Sequence, residues 1–262
     1  MRIPHYNASM NSIPYEVHEP DILTLRAAEL LARITTEAVA ARGVAHIAIS
    51  GGSTPRPLFK LLATPQWQER IPWPHTHIWW VDERCVPPDD PNSNYGVAYA
   101  LLLQHLPVVI THRIRGEETP WQAAYLYEQE LVEGFNLWAG AWPRFDLILL
   151  GMGEDGHTAS LFPGTLALEE RDHRVTVGHA PTPPHERVTL TLPVLNHAAY
   201  VFFLVEGEKK GPALATIFHE AGGDPPLPAS LVWPEEGCLL WLLDIFAARA
   251  ADLDLLQNCA MG

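Results

Sequence analysis

Along the chain, segments whose apolar residues recur every three or four positions alternate with short segments that are continuously apolar. The first pattern is typical of amphipathic helices, and residues 21–42 show it with Leu23, Leu30 and Ile34. The second is typical of strands covered by helices on both faces. This alternation predicts one large α/β domain, residues 1–262, around a parallel sheet. The predicted core strands are residues 44–49, 77–81, 147–150, 174–177, 187–192, 200–205 and 238–243.

Residues 145–164, FDLILLGMGEDGHTASLFPG, join such a strand to a glycine-rich turn. Gly151, Gly153 and Gly156 follow the apolar run, and glycine permits tight turns and a close approach of ligand to main chain. His157 therefore lies just beyond the carboxyl end of a strand, where the ligands of open α/β sheets bind. A histidine in this place is a candidate general acid or base.

The same three glycines also match the dinucleotide-binding pattern GxGxxG. A dinucleotide site needs a full helix after the glycines, because the helix N-terminus holds the pyrophosphate. Here only residues 157–162 separate the turn from Pro163 and Gly164, which interrupt a helix. We therefore expect no nicotinamide cofactor at this turn.

A second turn at the same edge has the features of an anion site. The strand predicted at residues 44–49 ends in SGGSTP, and residues 58–62 continue with the apolar spacing of a helix. Pro55 suits the first position of that helix, whose free N–H groups attract anions. The alternative is a plain turn in which a hydroxyl caps the helix. The candidate phosphate-binding residues are Ser50, Gly51, Gly52, Ser53 and Thr54.

Charged residues reach this edge from two other strands. Arg84 follows Asp82 and Glu83 after one strand, and it is either an anion clamp or the partner of one of those carboxylates. Lys209 and Lys210 follow another strand and are two of only three lysines in the chain. They could bind an anion or form an ordinary solvated pair.

Several residue types exclude other classes of protein. His75 and His77 share one face of a strand but have no third ligand, so we interpret them as surface or packing residues. Cys85, Cys238 and Cys259 are widely spaced and form no CxxC pair, which favours a reducing compartment and disfavours disulfides or a zinc site.

The formal net charge of −14 disfavours nucleic acid and anionic membranes as partners, although a small anionic substrate can bind where cations gather. The first residues, MRIPHYNASMNSIPYEV, lack the apolar core of a signal peptide, and the chain has no run of about eighteen apolar residues. We expect a soluble cytoplasmic protein.

The motifs occur in the order and spacing of the 6-phosphogluconolactonases, and the chain resembles that family over nearly its whole length. Glucosamine-6-phosphate deaminases of the same superfamily share the glycine turn and DGH but differ in the segment after the histidine. One departure from the lactonases is Gly211, where the family usually has alanine. The resemblance is carried by SGGSTP at 50–55, DER at 82–84, SNYG at 93–96, LLGMGEDGHTASLFPG at 149–164, RVTLTLPVLN at 187–196 and GEKK at 207–210.

The resemblance implies hydrolysis of 6-phospho-D-glucono-1,5-lactone to 6-phospho-D-gluconate in the oxidative pentose phosphate pathway, with no metal or organic cofactor. It also implies a three-layer α/β/α sandwich with a mostly parallel, Rossmann-like sheet and antiparallel strands between residues 170 and 205. Two alternatives stay open: a glucosamine-6-phosphate deaminase or isomerase, and a sugar-phosphate binding module without catalysis.

For the lactonase, we expect His157 to act as general base on the attacking water and then as general acid toward the ring oxygen. Asp155 either orients His157 or holds the turn. Arg84 or the backbone N–H groups of the glycine turns would meet the oxyanion. A covalent route is less attractive because no GxSxG elbow occurs.

The remaining substrate contacts expected from the sequence come from the turns and from two cations. The phosphate would be held by the 50–54 turn together with Lys210 and Arg187. Gly153 and Gly156 would let the substrate approach the main chain.

Overall fold

The computed structural model describes residues 13–220 and 222–255. The expectation about the first seventeen residues lies largely outside this part. Cys259 lies wholly outside it. The strands found in it are β1 (Tyr15–His18), β2 (Ala45–Ile49), β3 (Thr76–Trp80), β4 (Asp82–Arg84), β5 (Ile110–His112), β6 (Leu147–Leu150), β7 (Val175–His179), β8 (Glu186–Leu190), β9 (Tyr200–Val205) and β10 (Cys238–Asp244).

Seven of these strands form the main sheet, in the order β1-β10-β9-β6-β2-β3-β5, and each neighbouring pair is parallel. The other three form a small antiparallel sheet in the order β4-β8-β7. The predicted parallel sheet is therefore confirmed. The antiparallel strands expected between residues 170 and 205 exist as β7 and β8, but they belong to the second sheet, and β9 is parallel.

Helices cover the main sheet, so the predicted three-layer α/β/α sandwich is confirmed. The longest helix packs against four strands of the sheet, β1, β2, β6 and β10. The helices are α1 (Pro20–Arg42), α2 (Pro55–Leu62), α3 (Pro65–Gln68), α4 (Asn94–Leu101), α5 (Pro120–Gly134), α6 (Leu192–Asn196), α7 (Gly211–His219) and α8 (Ile245–Ala250).

Helix ends follow local chain chemistry. Gly43 ends α1 in a left-handed conformation with φ of 79°, and Asp244 caps α8 by accepting the N–H of Ala247. From the sequence, residues 121–138 were expected to form one helix after Pro120. The helix α5 instead ends at Gly134, and Asn136 takes a left-handed φ of 50° that an α-helix cannot continue.

The core lies on both faces of the main sheet. All four residues of β6 are buried, as expected for a central parallel strand. Trp79 on β3 and Trp241 on β10 are among the largest fully buried side chains. No helix in the described residues has the length and apolar character needed to cross a membrane.

The topology brings the candidate site residues to one edge. The 50–54 turn follows β2, the His157 turn follows β6 and Lys210 follows β9. These three strands are neighbours in the order β9-β6-β2, and all are parallel, so their carboxyl ends meet. Arg84 reaches the same edge on β4, which comes directly after β3.

Candidate active site

A cavity of about 270 Å³ opens at this edge of the sheet. It lies between the turns that follow β2 and β6 and the small antiparallel sheet. The predicted site residues that line it are Ser50, Gly51, Gly52, Ser53, Thr54, Arg84, Gly153, His157, Arg187 and Lys210. Asp155 and Gly156 were also predicted as site residues, but neither lines the cavity.

His157 reaches the cavity on a tightly bonded turn. Gly153 donates its N–H to the His157 carbonyl at 2.8 Å, and the ring of His157 packs on Phe162 with 4.3 Å between centroids. The Nδ1 atom lies 2.5 Å from Asp155 Oδ1, which also accepts the His157 backbone N–H at 3.1 Å. The carboxylate therefore both orients the imidazole and holds the turn, the two roles left open by the sequence.

The electrostatics of Asp155 fit this contact. Burial alone would raise the pKa of the carboxyl, but the hydrogen bond from His157 and the charge of that ring outweigh it. The pKa of Asp155 is thereby held below its ordinary value. Asp155 is thus an ionised partner for a protonated or hydrogen-bond-donating imidazole.

Gly153 makes the histidine position possible. A Cβ atom at residue 153 would lie 2.1 Å from His157 Nδ1 and 2.5 Å from Asp155 Oδ1. No side chain fits there without displacing the His157–Asp155 contact. Gly156 serves the backbone instead, because its φ of 77° is left-handed.

The 50–54 turn keeps most of its polar groups for a ligand. The Ser50 hydroxyl is used by the fold, since it donates to the Leu149 carbonyl of β6 at 2.9 Å. Thr54 occupies the N-cap position of α2, but its side chain makes no hydrogen bond to the helix. The alternative of a plain turn in which this hydroxyl caps the helix is therefore not observed. Within the described part of the chain, no intramolecular acceptor is found for the N–H groups of residues 52–54.

Arg84 does not pair with the carboxylates next to it. Glu83 is buried and accepts hydrogen bonds from three backbone N–H groups, those of Arg84, Asn94 and Tyr95, so it fixes the start of α4. Burial raises the pKa of Glu83, although those three bonds oppose the effect. The Arg84 guanidinium donates to the Asn92 carbonyl at 2.5 Å and faces the cavity. This supports an anion clamp over a local ion pair.

A buried network joins the histidine turn to the strand that carries Arg84. Ser160 donates its hydroxyl to Asp82 Oδ2 at 2.7 Å, and Asn94 donates its amide to the Asp82 carbonyl at 2.9 Å. All three side chains are buried and line the cavity. Each of the three lies inside a quoted motif, but Ser160 and Asn94 were not predicted as site residues, and Asp82 was considered only as a partner of Arg84.

Lys210 and Lys209 differ in their surroundings. Lys210 lines the cavity, and burial lowers its pKa, although Glu154 and Asp155 act in the opposite direction. The Lys209 side chain is 82% exposed, with its Nζ atom 3.9 Å from Glu154 Oε1. Of the two lysines, Lys210 is the one that lines the cavity and can bind a ligand there.

The substitution of alanine by glycine at residue 211 has a packing reason. A Cβ atom there would lie 2.5 Å from Ala250 Cβ and 2.7 Å from the Ala250 carbonyl oxygen. Helix α8 approaches the start of α7 too closely for alanine. The departure therefore concerns helix packing and leaves Lys210 in the cavity.

Nothing in the site resembles a metal centre or a dinucleotide site. Among the described residues, no group of three or more His, Cys, Asp or Glu side chains is arranged to hold a metal ion. After His157 the chain forms turns and a short 3-10 helix at Leu166–Glu169, and no α-helix starts at the glycine turn. A pyrophosphate would lack the helix N-terminus that it requires.

Comparisons with known proteins agree with the geometry. The family model described as glucosamine-6-phosphate isomerases/6-phosphogluconolactonase matches residues 18–241. The 6-phosphogluconolactonase of a Nostoc species is 41% identical over 89% of this chain and 95% of its own length. That of a Synechocystis species is 43% identical over 85% of this chain and 91% of its own.

Solved structures give the same result. A 6-phosphogluconolactonase from Trypanosoma brucei superposes with a TM-score of 0.81 at 29% identity, covering 91% of this chain and 99% of that one. The fold together with these relatives defines the class of protein, an α/β enzyme of sugar-phosphate metabolism. The chain belongs to the glucosamine-6-phosphate isomerase/6-phosphogluconolactonase family.

Proposed function

We propose that the protein hydrolyses 6-phospho-D-glucono-1,5-lactone to 6-phospho-D-gluconate, the lactonase step of the oxidative pentose phosphate pathway, with His157 as general base. The reaction type is that named for several relatives of high coverage. The observation that carries the residue assignment is the His157–Asp155 contact at 2.5 Å beside a cavity that also holds the 50–54 turn.

In this mechanism Asp155 accepts the Nδ1 proton of His157 and so fixes the tautomer in which Nε2 is free to take a proton. A water between Nε2 and the lactone carbonyl then loses its proton as it attacks. His157 returns the proton to the ring oxygen as that oxygen leaves. Water and a base suffice for this hydrolysis, so the mechanism uses no cofactor.

The cations and turns bind the rest of the substrate. The free N–H groups of the 50–54 turn point from the N-terminal end of α2, where a phosphate is favoured, and Lys210 adds a charge from the neighbouring side. Arg187 lines the same cavity and joins Lys210 and the turn in binding the phosphate. Arg84 also lines the cavity, where it or the backbone N–H groups of the glycine turns stabilise the oxyanion.

The net charge of the protein bears on its compartment and its partners. We infer a cytoplasmic enzyme that acts on a small phosphorylated lactone and binds neither nucleic acid nor membrane. The net charge of −14 supports this, because both of those partners favour basic surfaces. Three cationic side chains, those of Arg84, Arg187 and Lys210, line the cavity, where a small anion can bind.

The test is His157→Asn. Asparagine keeps some of the hydrogen bonding of imidazole but cannot exchange a proton at neutral pH, so kcat should fall by about 10²–10⁴-fold while KM changes little. Spontaneous lactone hydrolysis must be subtracted. The wild-type kcat should also decline at acid pH, because a general base acts only in its unprotonated form, and the variant should lack this decline.

A near wild-type kcat with the acid decline intact would remove His157 from the mechanism. His185→Asn is the matched control, because that histidine lies in the connection between β7 and β8 and hydrogen-bonds the Ala180 carbonyl. Ammonia release from glucosamine 6-phosphate, assayed in parallel, would identify a deaminase instead.

A further inference from the structure

The side chain of Asn94 packs against the backbone of the 50–54 turn. Asn94 is only 2% exposed and lines the cavity. A Cβ atom at residue 51 would lie 1.8 Å from Asn94 Oδ1 and 2.1 Å from Asn94 Cγ. The amide of Asn94 therefore fills the space that a side chain at residue 51 would need.

This contact explains why residue 51 is a glycine. The φ of Gly51 lies outside the left-handed region, so the backbone by itself would accept alanine there. The obstacle to a larger residue is the Asn94 amide alone. Asn94 and Gly51 are thus a matched pair, in which the side chain of one residue occupies the place of the other.

Two acidic residues of β4 hold Asn94 in this position. Its Nδ2 atom donates to the Asp82 carbonyl at 2.9 Å and to Asp82 Oδ1 at 3.3 Å. Glu83 accepts the Asn94 backbone N–H at 2.7 Å. Because the Asp82 groups only accept hydrogen bonds, the amide turns its NH2 group toward Asp82 and its oxygen toward Gly51.

The amide oxygen has no hydrogen-bond partner. In residues 13–220 and 222–255, Asn94 Oδ1 is one of a few buried side-chain polar atoms that are left unpaired. Burial of an unpaired amide oxygen is unfavourable, so this arrangement is not explained by stability. What the oxygen does have is its contact with the Gly51 backbone.

The 50–54 turn is held from two sides. On the side of β6, the Ser50 hydroxyl donates to the Leu149 carbonyl at 2.9 Å. On the side of β4, the Asn94 amide lies against Gly51. The N–H groups assigned to the phosphate, those of residues 52–54, follow directly after these two contacts. Groups that bind a ligand need such supporting contacts to keep their geometry.

We propose that Asn94 is a positioning residue for phosphate binding. Through its contact with Gly51, it holds the 50–54 turn in the conformation that binds the substrate phosphate. It acts through the turn and not through a hydrogen bond to the phosphate, because its NH2 group is engaged by Asp82 and its oxygen is an acceptor. This rests on the proposed function, which assigns the turn to the phosphate.

The experiment measures the dissociation constant of 6-phosphogluconate by calorimetry for the wild-type protein and three variants. Asn94→Ala removes the support of the turn and should weaken binding about tenfold, the size expected for one lost charge-assisted contact. Gly51→Ala should weaken binding at least as much, because the new Cβ atom displaces the turn. In the double variant, that Cβ atom enters the space which the amide has left. The double variant should therefore bind more tightly than Gly51→Ala.

Kinetics separate positioning from a general loss of structure. In Asn94→Ala the KM for the phosphorylated lactone should rise about tenfold, whereas kcat, and kcat/KM for the unphosphorylated lactone, should fall much less.

Ser93→Ala is the matched control, because Ser93 accepts the Gly96 N–H at 3.0 Å and donates to Glu83 at 3.1 Å at the same helix start. Its loss should lower the urea midpoint but leave KM within about twofold of the wild-type value.

The outcomes separate this proposal from the proposed function. Unchanged affinity in Asn94→Ala, effects of the two single variants that simply multiply in the double variant, or equal losses with both lactones would overturn the positioning role. If Asn94→Ala does not fold, Asn94→Ser takes its place, since serine also lacks the amide that meets Gly51.

Lactone turnover by the wild-type protein is measured separately. Its absence, with the expected binding series intact, would refute the proposed function but support the role of Asn94. Turnover with unchanged binding in Asn94→Ala would overturn the role of Asn94 alone. A wild-type protein that does not bind 6-phosphogluconate would overturn the phosphate assignment and the role of Asn94 together.

Discussion

Replacing His46 should make the stability of this protein less sensitive to acid. His46 lies at the start of β2, with its ring stacked on Phe135 at 4.2 Å between centroids and its Nδ1 accepting the Trp79 indole N–H at 3.2 Å. Burial, followed by the charges of His77, His112 and Arg42, lowers the pKa of His46 from 6.5 to about 3.

The magnitude follows from this shift. Below pH 6.5 the unfolded chain takes up a proton on His46, whereas the folded protein does not until the pH approaches about 3. The contribution of the neutral His46 ring to the free energy of unfolding is therefore complete above pH 6.5 and is lost as the pH falls. Each pH unit below 6.5 corresponds to about 1.36 kcal/mol of unfolding free energy, so the loss of stability at pH 5 is about 2 kcal/mol. Because His46 is partly exposed, solvent screening reduces this to about 1 kcal/mol.

Other titrating groups pack around His46. The His77 ring lies 4.7 Å away, and its pKa is lowered by burial and then by His112, whose Nδ1 is 2.8 Å from Glu130. Asp146 accepts the His46 backbone N–H and pairs with Arg42; burial raises its pKa despite both contacts. A raised carboxyl pKa adds stability as the pH falls, so Asp146 opposes the histidines.

The assay is urea unfolding at pH 7.5 and pH 5.0 for the wild-type protein and His46→Asn. The Asn oxygen can still accept the Trp79 N–H, and the contribution of Asp146 largely cancels between the two proteins. The loss of unfolding free energy between the two pH values should be about 1 kcal/mol smaller in the variant. His105→Asn, on an exposed residue, is the control. An identical loss in wild type and His46→Asn would refute the reasoning.

Three other substitutions test separate parts of the structure. Lys210→Met should lower kcat/KM for the phosphorylated lactone about 10- to 100-fold but much less for the unphosphorylated lactone; equal losses would place Lys210 in the fold or the chemistry. Gly153→Ala should displace His157 and lower kcat at least tenfold, whereas Gly151→Ala, whose Cβ meets nothing within 4 Å, should not; equal effects in both variants would contradict the steric argument. Gly211→Ala should cost about 1–3 kcal/mol of unfolding free energy, with partial recovery when Ala250→Gly is added, and an unchanged urea midpoint would contradict the clash with α8.

The sequence predicted those parts of the site that depend on single strands. The strands at 147–150 and 200–205 were placed correctly, because buried parallel strands are continuously apolar. The residues after these strands were then also placed correctly, because parallel strands end at a common edge of the sheet. This explains why His157, Lys210 and the 50–54 turn all line one cavity, as expected.

Elements whose apolar pattern is short or broken were missed. β1 contains Glu16, a charged residue that looks incompatible with a buried strand position. In the fold Arg26 of α1 donates two hydrogen bonds to Glu16, at 2.8 and 2.9 Å, and so makes its burial tolerable. The pKa of Glu16 ends below its ordinary value, because these contacts outweigh the desolvation that would raise it. No local pattern in the sequence indicates that Arg26 pairs with Glu16.

The small antiparallel sheet shows most clearly what local patterns cannot give. Asp82, Glu83 and Arg84 were expected at the edge only as a charged turn, yet they form a strand whose partner lies about a hundred residues later. The strand alternation sends Asp82 and Arg84 toward the cavity and Glu83 into the start of α4. A shift of one residue in this register would exchange these faces and bury Arg84 against α4. The position of both arginines in the cavity is thus a property of the register, and the register is set by tertiary contacts such as Ser160–Asp82.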